Sequence, residues 1–146
     1  MPRPVTMLLV ALLVGCAAPR APEVTFHPVP GERRLPFLEA VRVGDMLYLS
    51  VMLGTDSTQA LVPGGIGPET RQALQNIAAV LARHGSSLDQ VVKCTAMLAD
   101  MREWGAMNEV YVTFFPTHLP ARSAFGATAL ALGARVELEC LATRRR

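Results

Sequence analysis

The chain is poor in the materials that mark several protein classes. Only 5% of its 146 residues are aromatic and 18% are charged. Its conspicuous apolar run, residues 5–14, is ten residues long and broken once by Thr6. That is well short of the roughly 20 residues a membrane-crossing helix needs. Cysteine is scarce, with three in all, no CxxC pair and no zinc-type spacing. His27, His84 and His118 are scattered, and each reads as a surface or loop residue, so no metal is expected. A basic stripe is missing too. Three of the fourteen basic residues are the consecutive Arg144, Arg145 and Arg146, which leaves eleven basic against twelve acidic groups elsewhere, net −1. Nucleic acid is therefore not an expected partner. What the chain does have is apolar residues, 51% of the total. Its length suits one domain with a single modest core, and the composition is globular.

The amino-terminal stretch reads as an address. Arg3 supplies a positive start, residues 5–14 form the apolar centre, and Leu13-Val14-Gly15-Cys16 resembles a bacterial lipobox. On that reading residues 1–15 are a lipoprotein signal peptide and Cys16 is lipidated. Residues 16–31 become a Pro-rich tether, and residues 32–146 form the folded domain. An ordinary signal peptide cleaved near Ala17-Ala18 is the competing reading. Ala17 is not the aspartate of an inner-membrane retention signal. The expected location is therefore the periplasmic side of the cell envelope, with the outer membrane favoured. Val24-Thr25-Phe26, inside the tether, has the character of an edge strand. With Cys16 set aside, Cys94 and Cys140 allow one disulfide, but both lie on strand-like runs where a thiol behaves as a small core hydrophobe. Two buried thiols are expected.

Residues 37–53 form a hairpin pattern that turns at Gly44-Asp45, the II′ preference. A loop follows over residues 55–67. The clearest helix spans 68–84: Pro68 suits a first turn, Glu69 complements the dipole, and Gly85 is placed for the C-terminal cap. Ala73, Leu74, Ile77, Val80 and Leu81 give it one buried stripe. Residues 88–98 alternate as a strand, with Val92, Cys94, Ala96 and Leu98 on one face and Val91, Lys93, Thr95 and Met97 on the other. Asp100 and Glu103 have capping-box spacing before a second helix. That helix carries Trp104, Met107, Tyr111, Phe114 and Phe115 as a core stripe and stops at Pro116. Two strands, 122–128 and 135–143, close the chain. The order predicts an α+β domain, a mixed sheet with two helices packed on one face.

Such a sheet leaves its second face to solvent or to another chain. Val91, Thr95, Met97, Glu137 and Leu141 are too apolar together for a solvent surface, which points to an oligomer. Arg122 is the other anomaly, a guanidinium among small and apolar residues at Leu119-Pro120-Ala121-Arg122-Ser123. It is either a structural partner of Glu137 or Glu139, or a clamp for a carboxylate or phosphate.

Taken together, several motifs resemble the RidA (YjgF/UK114) family. They are Leu35-Pro36-Phe37, Leu49-Ser50, the run from Arg71 to Ile77, Val91-Val92-Lys93-Cys94-Thr95, Asn108-x-x-Tyr111-x-x-Phe114-Phe115, Pro120-Ala121-Arg122-Ser123 and Val136-Glu137-Leu138-Glu139. They stand in register from about residue 35 to 145. The resemblance implies a chorismate-mutase-like fold and a homotrimer whose three clefts lie between subunits and bind small carboxylic acids. It implies hydrolysis of 2-imino or enamine acids to 2-oxo acids and ammonia, with no metal or organic cofactor. Arg122 matches the carboxylate clamp and Glu137 the group that orients the attacking water. Ser50, Asn108, Phe37 and Ala124 match positions lining the substrate. Phe37 stands where the family usually has tyrosine, and Ala124 where cysteine is frequent. The chemistry suits these residues, because a protonated imine is already electrophilic and needs a held substrate, a placed water and a proton acceptor. A non-catalytic trimeric binding module for small carboxylate metabolites is the alternative from another functional class.

Overall fold

The computed structural model describes residues 20–31 and 35–144. The expectations for the signal segment, for lipidation of Cys16 and for Arg145 and Arg146 lie outside the described residues. One seven-stranded sheet carries the fold, with β1 (Val24–His27), β2 (Ala40–Val43), β3 (Met46–Leu49), β4 (Met52–Leu53), β5 (Val91–Leu98), β6 (Ala121–Gly126) and β7 (Val136–Thr143). The spatial order is β1-β2-β3-β7-β5-β6, and the short β4 also pairs with β7. Among the described residues only β5 and β6 run parallel; the other pairings are antiparallel. The helices α1 (Ile66–Arg83) and α2 (Trp104–Tyr111) pack against each other, and α1 packs on β7. The mixed α+β architecture is the expected one. Among the described residues no helix is long and apolar enough to cross a membrane.

Local chemistry explains most boundaries and several departures. The strand expected at Val24-Thr25-Phe26 pairs with β2, and Arg42 Nη2 donates to Thr25 Oγ1 at 2.7 Å across the pair. Gly44 turns the β2–β3 hairpin at φ 57. Helix α1 starts at Ile66, two residues before Pro68, because the first amides of a helix have no intrahelical partner and Pro68 at the third position loses nothing. At the other end Gly85 adopts φ 73, its amide donates to Ala82 O and that of Ser86 to Leu81 O, a Schellman closure. The expected stripe of Ala73, Leu74, Ile77, Val80 and Leu81 is buried against Leu47, Leu98, Leu138 and Met107.

Strand β5 departs from strict alternation. A bulge between Val91 and Lys93 turns Val91 into the core at 2% exposure and leaves Val92 43% exposed. From Lys93 onward the expected phase holds. The capping box does not form. Asp100 accepts from the Arg102 amide, but this caps a short 3₁₀ turn, and Glu103 binds Arg135 Nε at 2.9 Å. Trp104 is 45% exposed, so the core stripe of the second helix reduces to Met107, Tyr111 and Phe115, with Phe114 packed at its margin.

The cysteine expectation is corrected. Cys94 and Cys140 are direct cross-strand partners on β5 and β7, and they form a disulfide in the centre of the core. Two histidines are corrected as well. His27 lies on β1 with its ring 4.2 Å from that of His84, and His84 Nε2 lies 2.9 Å from Glu39 Oε2. His118 is an exposed loop residue, as expected.

Candidate functional site

Pro120 leads into β6, an edge strand, and places Arg122 beside Cys94 of β5, with Cys140 of β7 beyond it. All three side chains therefore point to the helix-covered face. The half-buried guanidinium reaches α2, where its carbon lies 4.6 Å from the centroid of the Tyr111 ring and Nη1 lies 4.0 Å from Met107 Sδ. Among the described residues Arg122 has no ion pair, so the pairing with Glu137 or Glu139 open from the sequence is absent. Two polar atoms of α2 are buried without a hydrogen-bond partner, Asn108 Oδ1 and Tyr111 Oη. Burial pushes the Tyr111 phenol up to about 12, against the opposing pull of the Arg122 charge. Ala124 sits two residues along β6, on the face of Arg122, and packs against the core. An uncompensated cation and a phenol thus meet at the β6–α2 junction, with Asn108 three residues before Tyr111 on α2.

Glu137 lies elsewhere. Its register partners are Met97 on β5 and Leu53 on β4, which puts it on the open face of the sheet. Its Oε1 accepts a hydrogen bond from the Ala131 amide at 2.7 Å. Arg122 and Glu137 of one chain are therefore on opposite faces.

Phe37 and Ser50 line a third place, a cavity of about 510 Å³ between α1 and the segments before β2 and after β3. Phe37 is 52% exposed, and the Ser50 hydroxyl donates to Leu38 O at 2.6 Å, a bond within the fold. Glu39 in the same wall is 5% exposed and accepts from Arg83 and from His84. Burial raises its carboxyl, but the hydrogen bonds from Arg83 and His84 outweigh this and hold it below its ordinary value. Burial, and then the charge of His84, lowers His27. Sequence reasoning did not find Glu39. The available signal was Arg83-His84 at the end of the helix, two side chains able to donate to an acid.

The expected residues thus divide into Arg122 with Ala124 on β6, Asn108 on α2, Phe37 with Ser50, and Glu137 apart. The open face joins them in one respect. Phe26, Tyr48 and Phe125 are 65%, 43% and 48% exposed, and register places all three on the side of Glu137, with half-buried Met97 and Leu141. Among the described residues no cluster of three or more His, Cys, Asp or Glu could hold a metal.

Comparison with known proteins identifies the family. The model of the Ribonuc_L-PSP family, described as endoribonuclease L-PSP, matches residues 32–144. The mouse (Mus musculus) protein named 2-iminobutanoate/2-iminopropanoate deaminase is 44% identical over 110 residues, 75% of this chain and 82% of its own length. The human (Homo sapiens) protein of that name is 39% identical over 108 residues, 73% of this chain and 79% of its own. Among solved structures, RidA from the Antarctic bacterium Psychrobacter sp. PAMC 21119 superposes with a TM-score of 0.72 at 31% identity, covering 86% of this chain and 99% of that one. A match across nearly the whole described fold, with such relatives, shows that the chain belongs to the Ribonuc_L-PSP family, the family of the RidA, YjgF and UK114 proteins.

Proposed function

We propose that this chain is an imine deaminase that hydrolyses 2-imino or enamine acids to 2-oxo acids and ammonia. Arg122 carries the reading: a half-buried guanidinium with no carboxylate partner among the described residues, and with donors free for an incoming carboxylate. The names of the mouse and human relatives supply the reaction class. In the proposed site Arg122 holds the substrate carboxylate, and Glu137 orients a water and takes its proton as the water oxygen attacks C2. Glu137 then returns that proton to the nitrogen of the resulting carbinolamine, the C–N bond breaks with release of ammonia, and C2 becomes the carbonyl as the hydroxyl gives its proton back to Glu137. Phe37, Ser50, Asn108 and Ala124 line the pocket.

Because Arg122 and Glu137 of one chain face opposite ways, the reading includes a homotrimer in which a second copy completes each cleft. The exposed Phe26, Tyr48 and Phe125 beside Glu137 favour covering that face with another copy. Export with lipidation at Cys16 is part of the same reading, and the Cys94–Cys140 disulfide supports an oxidising compartment. The ribonuclease in the family's description draws no support from a body of net charge −1 outside the arginine run. A binding module without turnover is favoured by one observation. Phe37 offers no hydroxyl, and that of Ser50 is already spent on Leu38 O.

The test is ammonia release from freshly generated 2-iminopropanoate. Wild type is expected to accelerate it. Arg122→Ala is expected to abolish turnover and to weaken 2-oxo acid binding by about 2–4 kcal/mol, the cost of losing a charge-assisted contact. Wild type that binds 2-oxo acids without accelerating ammonia release would leave only the binding module.

A further inference from the structure

A half-buried cation normally needs an acid nearby, since burying an unpaired charge is costly. Arg122 is held otherwise. The groups against it are the face of Tyr111 and the thioether of Met107, a weak acceptor. An aromatic face attracts a guanidinium through its quadrupole while leaving the N–H groups unused, whereas a carboxylate in that place would consume two of them. The ring is itself fixed. Tyr111 is 2% exposed and lies against Phe115 with centroids 4.9 Å apart, four residues along. Its hydroxyl is buried without a partner, so the ring and not the hydroxyl is what the surroundings use. At neutral pH a tyrosine phenol is uncharged, and burial raises this one further, to about 12, so it offers Arg122 no competing anion.

We propose that Tyr111 is a positioning residue. Its ring holds the Arg122 guanidinium over α2 with no donor given to an oxygen, only Nη1 meeting the weak acceptor Met107 Sδ, and so presets the clamp for the substrate carboxylate. The inference rests on the deaminase reading of Arg122 and adds to it a residue that touches no substrate. Met107 assists from the same helix, one turn earlier. Residues 107 and 111 lie on one helical face, so both reach the same guanidinium.

The test uses the full-length protein with Tyr111→Phe, Tyr111→Leu, and a series bearing one, two or three ring fluorines on phenylalanine at position 111. Fluorination drains the ring face of negative potential with little change of shape. Binding of pyruvate, the KM and kcat for 2-iminopropanoate, and the Arg122 Nε–H proton shift are measured in each. Tyr111→Phe should stay within about twofold of wild type in binding and keep the ring-current shift of Arg122. Tyr111→Leu should lose that shift and weaken binding and raise KM by about 5- to 30-fold, with kcat changed far less. Along the fluorine series affinity should fall stepwise at constant Tm, an effect that a merely structural role would not produce. This series also carries the test if Tyr111→Leu fails to fold. A flat series, or equal losses in Tyr111→Phe and Tyr111→Leu, would overturn the proposal. If Arg122→Ala weakens pyruvate binding while the series is flat, the clamp stands and only the role of Tyr111 falls. If Arg122→Ala binds pyruvate like wild type, the clamp reading fails first and takes this one with it.

Discussion

Breaking the Cys94–Cys140 bridge should cost this domain much of its stability. The two residues are 46 apart in sequence and join β5 to β7 in the middle of the sheet. In the chain-entropy account, a closed loop of that length removes roughly 13.5 cal/mol/K from the unfolded ensemble, or about 4 kcal/mol at 25 °C. The reduced fold has no compensating gain. Its two thiols remain in the core as small apolar groups, but they can no longer sit at bonding distance and must push β5 and β7 or their neighbours apart. For a domain with a urea slope of about 2 kcal/mol/M the midpoint should fall by about 2 M. The assay compares oxidised protein with protein unfolded, reduced and refolded under reductant, because both residues are buried in the fold. Cys16→Ser in both samples leaves the pair as the only cysteines. Coincident midpoints would refute the argument. So would two titratable thiols in the denatured, unreduced protein.

Two more outcomes follow from packing and charge. Stability should fall on acidification in two stages. His27 titrates below its ordinary value of 6.5, so the unfolded chain takes up a proton there before the fold does, and stability drops from about pH 7 until the folded value is passed. Glu39 lies below 4.5, so its contribution is present above that value and is lost as pH falls through its lower folded value. Tm measured by circular dichroism from pH 8 to 3 should show both stages, and His27→Gln should flatten the first; a Tm constant between pH 7.5 and 5.5 would contradict the His27 reading. Gly54→Ala should cost about 3 kcal/mol or more, because its Cβ would lie 2.5 Å from Glu69 O and 2.6 Å from Glu69 Cα, backbone that cannot turn aside. A loss under about 1 kcal/mol in urea unfolding would show that β4 and α1 can separate there at little cost.

Local periodicity made α1 legible, because one stripe and one glycine sufficed to fix its buried face and its end. It could not reveal the bulge at Val92, where pairing with β7 and not the β5 sequence decides which way Val91 points. The disulfide was hidden for a related reason. Cys94 and Cys140 read as core residues on separate strands, and only the sheet order and register make them neighbours. Glu103 had the spacing of a capping box but is drawn to Arg135, 32 residues away, a competitor the local window omits. At the candidate site Arg122 stood out because a lone guanidinium in small apolar surroundings is anomalous wherever it falls. The ring beneath it did not, since Tyr111 at helical spacing is indistinguishable from a core aromatic until α2 is seen against the β6 edge. That Arg122 and Glu137 point to opposite faces follows from parity across β5, β6 and β7, which no motif records.

That opposition makes the central claim testable without a ligand-bound structure. If each cleft takes Arg122 from one copy and Glu137 from another, two dead proteins should repair each other. Arg122→Ala and Glu137→Ala chains, each inactive alone, are unfolded, mixed and refolded together, and ammonia release from 2-iminopropanoate is measured. In mixed trimers some clefts receive both intact residues, so a substantial fraction of wild-type activity should return. Mixed oligomers, verified by mass spectrometry, that remain as inactive as the parents would contradict a site shared between copies.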